Sequence, residues 1–179
     1  FDVYFTKIGV WGFNSLYHLN ILVAGLPIEE WLFFIAVPYA TLFLHESLTL
    51  YFPRFRLNDK LSRVLTIALI LILSAIIALN LKKAYTVYIS STVIVALVFA
   101  LFDKTKVIQS YYSTFLVILI PFLAVNAVLT GSFIDQEVVW YNNAENLGIR
   151  FLTIPVEDFG YAFSLILFNL LLVAKLKSG

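Results

Sequence analysis

Cysteine is absent from the 179 residues, which excludes disulfides, thiolate nucleophiles and cysteine metal sites, and only two histidines, His18 and His45, are left for a metal cluster. Charge is scarce as well: Asp, Glu, Lys and Arg together make up 13% of the chain and leave a net charge of +1. That balance, without any basic run, argues against nucleic acid or an acidic partner. No Gly-x-Gly-x-x-Gly follows a strand-like segment, so no dinucleotide cofactor is expected. The aspartate-rich repeats and basic phosphate ligands of divalent-metal diphosphate chemistry are missing too, and no metal is expected. The opening Phe1-Asp2-Val3-Tyr4-Phe5-Thr6-Lys7 has no signal-peptide pattern and reads as the tail of a helix entering a loop. The sequence is therefore expected to be an N-terminally truncated piece.

What is abundant is apolar surface. Hydrophobic residues make up 61% of the chain, and the mean hydropathy of +0.94 lies far above that of a soluble domain. Five apolar segments, at about 27–52, 64–81, 85–102, 112–130 and 151–174, approach the ~20 residues a helix needs to cross a bilayer. Runs of this length span a membrane only as helices. The expected fold class is therefore all-α, a polytopic transmembrane helix bundle forming a single membrane domain over 1–179. Each crossing reverses direction, so the first, third and fifth spans run one way, and their N-terminal ends share a membrane face. Eight bases (Arg54, Arg56, Lys60, Arg63, Lys104, Lys106, Lys175 and Lys177) fall on the opposite face, against Lys7, Lys82, Lys83 and Arg150 on this one. The positive-inside rule then puts the starts of the first and fifth spans on the non-cytoplasmic side.

The most informative pattern is an internal match at a spacing of 128 residues. Leu26-Pro27-Ile28-Glu29-Glu30-Trp31 opens the first span, and Ile154-Pro155-Val156-Glu157-Asp158-Phe159 opens the fifth. At the same offset Asn14 matches Asn142, Phe33 matches Tyr161 and Thr41 matches Asn169, while Trp11 and Trp140 each precede a motif by sixteen and fifteen residues. The chain reads as a duplication with two parallel repeats, repeat 1 at about 1–52 and repeat 2 at about 85–174, with a linking helix at about 64–81. Taken singly, Pro at the first helical position followed by acidic residues is an ordinary helix start. Twice over, leading into long apolar helices where ionisable groups are expensive, it points to a shared functional carboxylate site. Polar residues continue along the same faces: Thr41 follows Glu30, and Asn169 follows Asp158, by eleven residues or three helical turns.

Gly9-Val10-Trp11-Gly12-Phe13-Asn14, Leu26-Pro27-Ile28-Glu29-Glu30-Trp31-Leu32-Phe33-Phe34 and Ile154-Pro155-Val156-Glu157-Asp158-Phe159-Gly160-Tyr161-Ala162-Phe163 resemble the small integral-membrane lycopene cyclases. These include bacterial heterodimers, fused two-repeat bacterial and archaeal forms, and the cyclase part of fungal fusions. The resemblance covers nearly the whole chain and implies that the site formed by two subunits in the heterodimers is reproduced here within one polypeptide. Fused members carry about two more helices at the front, where this sequence departs from them.

The resemblance implies a carotenoid substrate, lycopene, and an intramolecular lyase or isomerase. Ring closure needs a proton delivered to a double bond, attack by a neighbouring double bond on the tertiary cation, and loss of a proton nearby, with no net change of electrons. In a dry site, desolvation and the cost of two close negative charges hold one carboxyl of a cluster protonated while another serves as base. Glu29, Glu30, Glu157 and Asp158 are the expected catalytic residues. Trp31, Phe33, Phe34, Phe159, Tyr161 and Phe163 are the expected substrate-binding aromatics, whose π-faces attract a cation without trapping it. In a chain so rich in aromatics, packing and interfacial roles compete for each of them. His45 and Glu46 are read as structural or interfacial, and Asn126 as making an interhelical hydrogen bond. Besides the lipid bilayer, the partners to consider are a second copy of the chain and enzymes of the carotenoid pathway. Two rival functions are a proton-coupled transporter, against which stands the paucity of deep polar residues beyond Ser74, Ser90, Ser91 and Thr92 in the second and third spans, and a non-catalytic carotenoid-binding subunit.

Overall fold

The computed structural model describes residues 1–178. A short helix α1 (Asp2–Lys7) precedes five long ones, α2 (Ile28–Tyr51), α3 (Asp59–Leu79), α4 (Ala84–Phe102), α5 (Val107–Leu129) and α6 (Val156–Ser178). Each helix from α2 to α6 is long and apolar enough to cross a membrane. The outward face of α2 carries Ile35, Tyr39, Phe43 and Leu50, 67–76% exposed. Water does not tolerate a continuous surface of this kind, whereas lipid does. The protein is a multi-pass membrane protein.

Three helix starts differ by five residues from those expected, each for a local reason. α3 starts at Asp59 rather than near 64 because the Asn58 side chain accepts from the Leu61 N–H at 2.8 Å, a cap that draws the charged residues Asp59, Lys60 and Arg63 into the first turns. α5 starts at Val107 rather than near 112, where Asp103 accepts from the N–H groups of Thr105 at 3.1 Å and Val107 at 3.2 Å. α6 starts at Val156 rather than near 151 because the preceding residues form a hairpin.

α4 packs on both α3 and α6, and α2 packs on α5 and α6. The apolar core lies along α4 and α6, with Ala96, Leu97, Ile166, Leu167 and Leu170 fully enclosed. Polar contacts fix the helix directions. At one end Lys177 pairs with Glu46 at 3.0 Å, and Asp59 meets Lys106 at 3.1 Å and Gln109 at 3.0 Å. At the other end Glu145 accepts from the Ala84 and Tyr85 N–H groups, joining the loop before α6 to the start of α4. The starts of α2, α4 and α6 therefore share one face, and α3 and α5 run against them.

That face carries three small antiparallel strand pairs, where the sequence predicts loop or, from 151 onward, the start of the fifth span. β1 (Trp11–Phe13) pairs with β4 (Val139–Tyr141), β2 (Leu22–Val23) with β3 (Leu26–Pro27), and β5 (Arg150–Phe151) with β6 (Ile154–Pro155). The last two hairpins are alike in register, Leu22 opposite Pro27 and Arg150 opposite Pro155, 128 residues apart. Both tips use the left-handed region, at Ala24 (φ 52°) and Leu152 (φ 55°). In the β1–β4 pair Gly12 lies opposite Trp140, again 128 apart. The flanking bonds match too: Asn14 N–H donates to Val138 at 2.8 Å and Asn142 N–H to Val10 at 2.9 Å. A strand pair centred on two corresponding residues is what a local two-fold axis produces.

This register also corrects the tryptophan match, since Trp140 corresponds to Gly12 and Trp11 to Val139. A Cβ on Gly12 would sit 2.4 Å from the Trp140 ring, so only glycine lets the indole lie across the strand.

Candidate active site

The four acidic residues of the two motifs sort by their hydrogen bonds. Neighbouring residues on a helix point about 100° apart, so the two members of each pair cannot serve the same space. Glu29 accepts from the Leu19 N–H at 2.8 Å, and Glu157 accepts from the Leu147 N–H at 2.7 Å. Leu19 and Leu147 are themselves separated by the repeat spacing of 128. Each of these glutamates ties the loop before its motif onto the helix start. Glu157 is additionally held by Thr86 of α4 at 2.6 Å.

Glu30 and Asp158 point elsewhere. Both line one cavity of about 310 Å³ between α2, α5 and α6. On α2 the lining stripe runs Glu30, Phe33, Val37, Thr41 and Leu44, and on α6 it runs Asp158, Tyr161 and Leu165. Phe33 and Tyr161, and likewise Val37 and Leu165, are corresponding residues of the repeat. From Glu30 to Leu44 the helix rises about 20 Å, so the cavity is a slot running along α2 with its acids at one end. α5 supplies a third wall of Ile118, Phe122 and Val125.

Asp158 is buried, 5% exposed, and both of its oxygens are occupied. Oδ1 accepts from the Tyr85 hydroxyl at 2.5 Å and Oδ2 from the Tyr141 hydroxyl at 2.9 Å. The two phenol rings stack at 5.8 Å, and Trp11 meets Tyr85 edge-on at 5.1 Å. Burial, and then the charge of Asp158, push the Tyr141 phenol well above its usual range, so it remains a proton donor in the hydrogen bond. No hydrogen-bond donor reaches Glu30 among the described residues. A third carboxyl, Asp2 of α1, also lines the cavity, its pKa raised by burial.

The six aromatics divide. Phe33 and Tyr161 line this cavity. Trp31 and Phe34 line a second one of about 480 Å³, bounded by α2, α4 and α6, whose wall shares Asp2, Tyr161 and Leu165 with the first. Trp31 also donates from its indole to the Val23 carbonyl at 3.1 Å. Phe159 packs against Phe122 and Phe151, while Phe163 sits in the core against Tyr111 and Phe115; neither is among the residues lining either cavity.

A protein-family model described as lycopene cyclase matches residues 1–48 and 82–176. The chain belongs to the lycopene cyclase family. As a family member it is matched over both motif helices, over Tyr85 and over the strand pair that carries Tyr141, whereas the whole of α3 lies outside the matched segments. No curated protein and no solved structure matches the chain.

Sequence reasoning missed Tyr85, Tyr141, Trp11 and Asp2 as members of the site. Tyr141 had a signal, because it stands 128 residues after Phe13, which lines the same cavity. Tyr85 had none beyond its place at a helix start on the motif face. Of the structural readings, His45 is buried and bonded to Thr114 at 2.7 Å, and Glu46 pairs with Lys177 at the far end. Asn126 lines the cavity, and its side chain donates to the Phe122 carbonyl of its own helix at 3.3 Å rather than across to another helix as expected.

Proposed function

We propose that the protein closes the linear end group of lycopene to an ionone ring, by a proton-initiated, redox-neutral isomerisation at the cavity between α2, α5 and α6. The observation that carries this reading is that Glu30 and Asp158, corresponding residues of two repeated helix starts, meet at one apolar slot. One carboxyl delivers the proton that begins the reaction, the ring forms, and the other accepts the proton that ends it. Phe33, Tyr161, Trp11 and Phe122 offer π-faces to the cation in between. The apolar walls keep out the water that would capture it. The volume suits an end group, with the rest of the polyene continuing along the bundle or into the second cavity past Tyr161. Glu29 and Glu157 position the motif helices from behind, and the duplicated halves together reproduce a two-subunit site in one chain.

Expression of the protein in cells that accumulate lycopene tests this directly. Red extracts should turn orange to yellow, with monocyclic or bicyclic carotenes identified by chromatography. Unconverted lycopene, with the protein present in the membrane, would remove the proposal and leave transport or non-catalytic pigment binding.

The bases favour a non-cytoplasmic location for the motif face, with eight on the other side. Because the chain has no cysteine, single replacements report orientation cleanly. A membrane-impermeant maleimide added to intact cells should label Lys82→Cys and spare Lys104→Cys; the reverse pattern would invert the assignment.

A further inference from the structure

Resting on that cyclase reading, we propose that Tyr85 and Tyr141 are positioning residues that pin Asp158 as the base, and that this pinning selects which ring isomer forms. The cation left by ring closure is tertiary. Its positive carbon is flanked by three carbons that carry hydrogen: the ring carbon bearing the polyene, the ring methylene and the methyl substituent. Loss of a proton from each leaves its electron pair in a different double bond and yields a different isomer, β, ε or γ. The proton added comes from Glu30, the proton removed goes to Asp158, and it passes back to Glu30 between turnovers. Substrate and product have the same composition and no electrons are exchanged. The position of the base is then the quantity that decides the product.

The two copies of the repeat have diverged in the way this role requires. Both oxygens of Asp158 accept phenol hydrogen bonds, at 2.5 and 2.9 Å, from a stacked pair of rings on separate elements, α4 and β4. Two donors converging on an acceptor-only group fix its direction as well as satisfying it. In the first copy Phe13 occupies the place of Tyr141 and brings no donor, and the acid there is Glu30, longer by one methylene. A longer, untethered carboxyl can swing to protonate an end group as it enters. A short carboxyl tethered at both oxygens offers one fixed place to which a proton can leave. Tyr141 suits the tether because burial keeps its phenol protonated.

The test compares ring isomers rather than rates. Tyr85→Phe and Tyr141→Phe each remove a single oxygen, and product from lycopene-accumulating cells is resolved chromatographically, normalised to protein in the membrane. Each variant is expected to shift the ratio of ring isomers by about tenfold towards isomers minor in the parent. Asp158→Glu, which keeps the acid and moves its oxygens by one methylene, should shift the ratio too. Tyr111→Phe is the stability control: Tyr111 is buried and donates to the Phe163 carbonyl at 2.8 Å away from the cavity. It should lower protein level and leave the isomer ratio as in the parent. A parent that cyclises, with variants giving the parent's ratio, overturns the positioning role alone. A parent that makes no cyclic product overturns the cyclase reading and this inference with it.

Discussion

Asp158→Asn and Glu30→Gln should each leave lycopene unconverted, with product falling by about 10²- to 10⁴-fold at unchanged protein level. Both substitutions are nearly isosteric, so packing around the slot survives while the ability to give or take a proton is lost. For Asp158 the amide adds a second fault, since its NH₂ meets the hydroxyl of Tyr85 or Tyr141 where a carboxylate oxygen accepted. The partner substitutions separate chemistry from scaffolding. Glu157→Gln keeps an oxygen able to accept from the Leu147 N–H and Thr86 but weakens two charge-assisted bonds. It should lower the thermal midpoint and the protein level, with cyclisation per molecule reduced by less than about tenfold. Glu29→Gln should behave likewise at the Leu19 N–H. Chromatography of carotenes, set against protein quantified in membranes, checks all four. Equal losses in all four variants would mean that the split between cavity-lining and loop-tying carboxyls does not govern function.

That split shows where sequence stops being informative. The two Pro-x-Glu-acid starts, their shared membrane face and the five spans follow from composition, length and alternation. Which acid of each pair faces the slot does not, because two adjacent acidic positions read alike. It is decided by the loop ahead of each motif, whose N–H groups at Leu19 and Leu147 capture the first acid and leave the second to the cavity. Angular position explains the aromatics in the same way. Phe163 lies five residues beyond Asp158, about 140° around the helix, and so turns into the core against Tyr111. Phe33 and Tyr161 lie three beyond their acids, close to the same face, and line the slot. Tyr85 reaches Asp158 from 73 residues away through helix packing, a contact that periodicity within either helix does not encode.

The packing that delivers Tyr85 depends on one small residue, Gly160, and its replacement by alanine should lower the protein's stability and disturb its site together. Gly160 sits on α6 two residues after Asp158, facing α4, where a Cβ would lie 2.7 Å from Ile89 Cγ2 and 3.4 Å from Val93 Cγ2. Ile89 is β-branched and held in one rotamer by its own helix, so its methyl has little freedom to retreat. The helices must separate instead, as small residues at membrane helix contacts exist to prevent. Overpacking of this kind costs about 1–3 kcal/mol. A shift of a few tenths of an ångström also strains the Tyr85 and Thr86 bonds, which cross the same α4–α6 contact to Asp158 and Glu157. Gly160→Ala is therefore expected to reduce both thermal midpoint in detergent and cyclic product. Ile89→Ala removes the clashing methyl, so Gly160→Ala with Ile89→Ala should be more stable than the sum of the single effects allows, a positive coupling of about 1 kcal/mol. Strict additivity would place the clash elsewhere and would detach the stability of the α4–α6 contact from the geometry of the acid it holds.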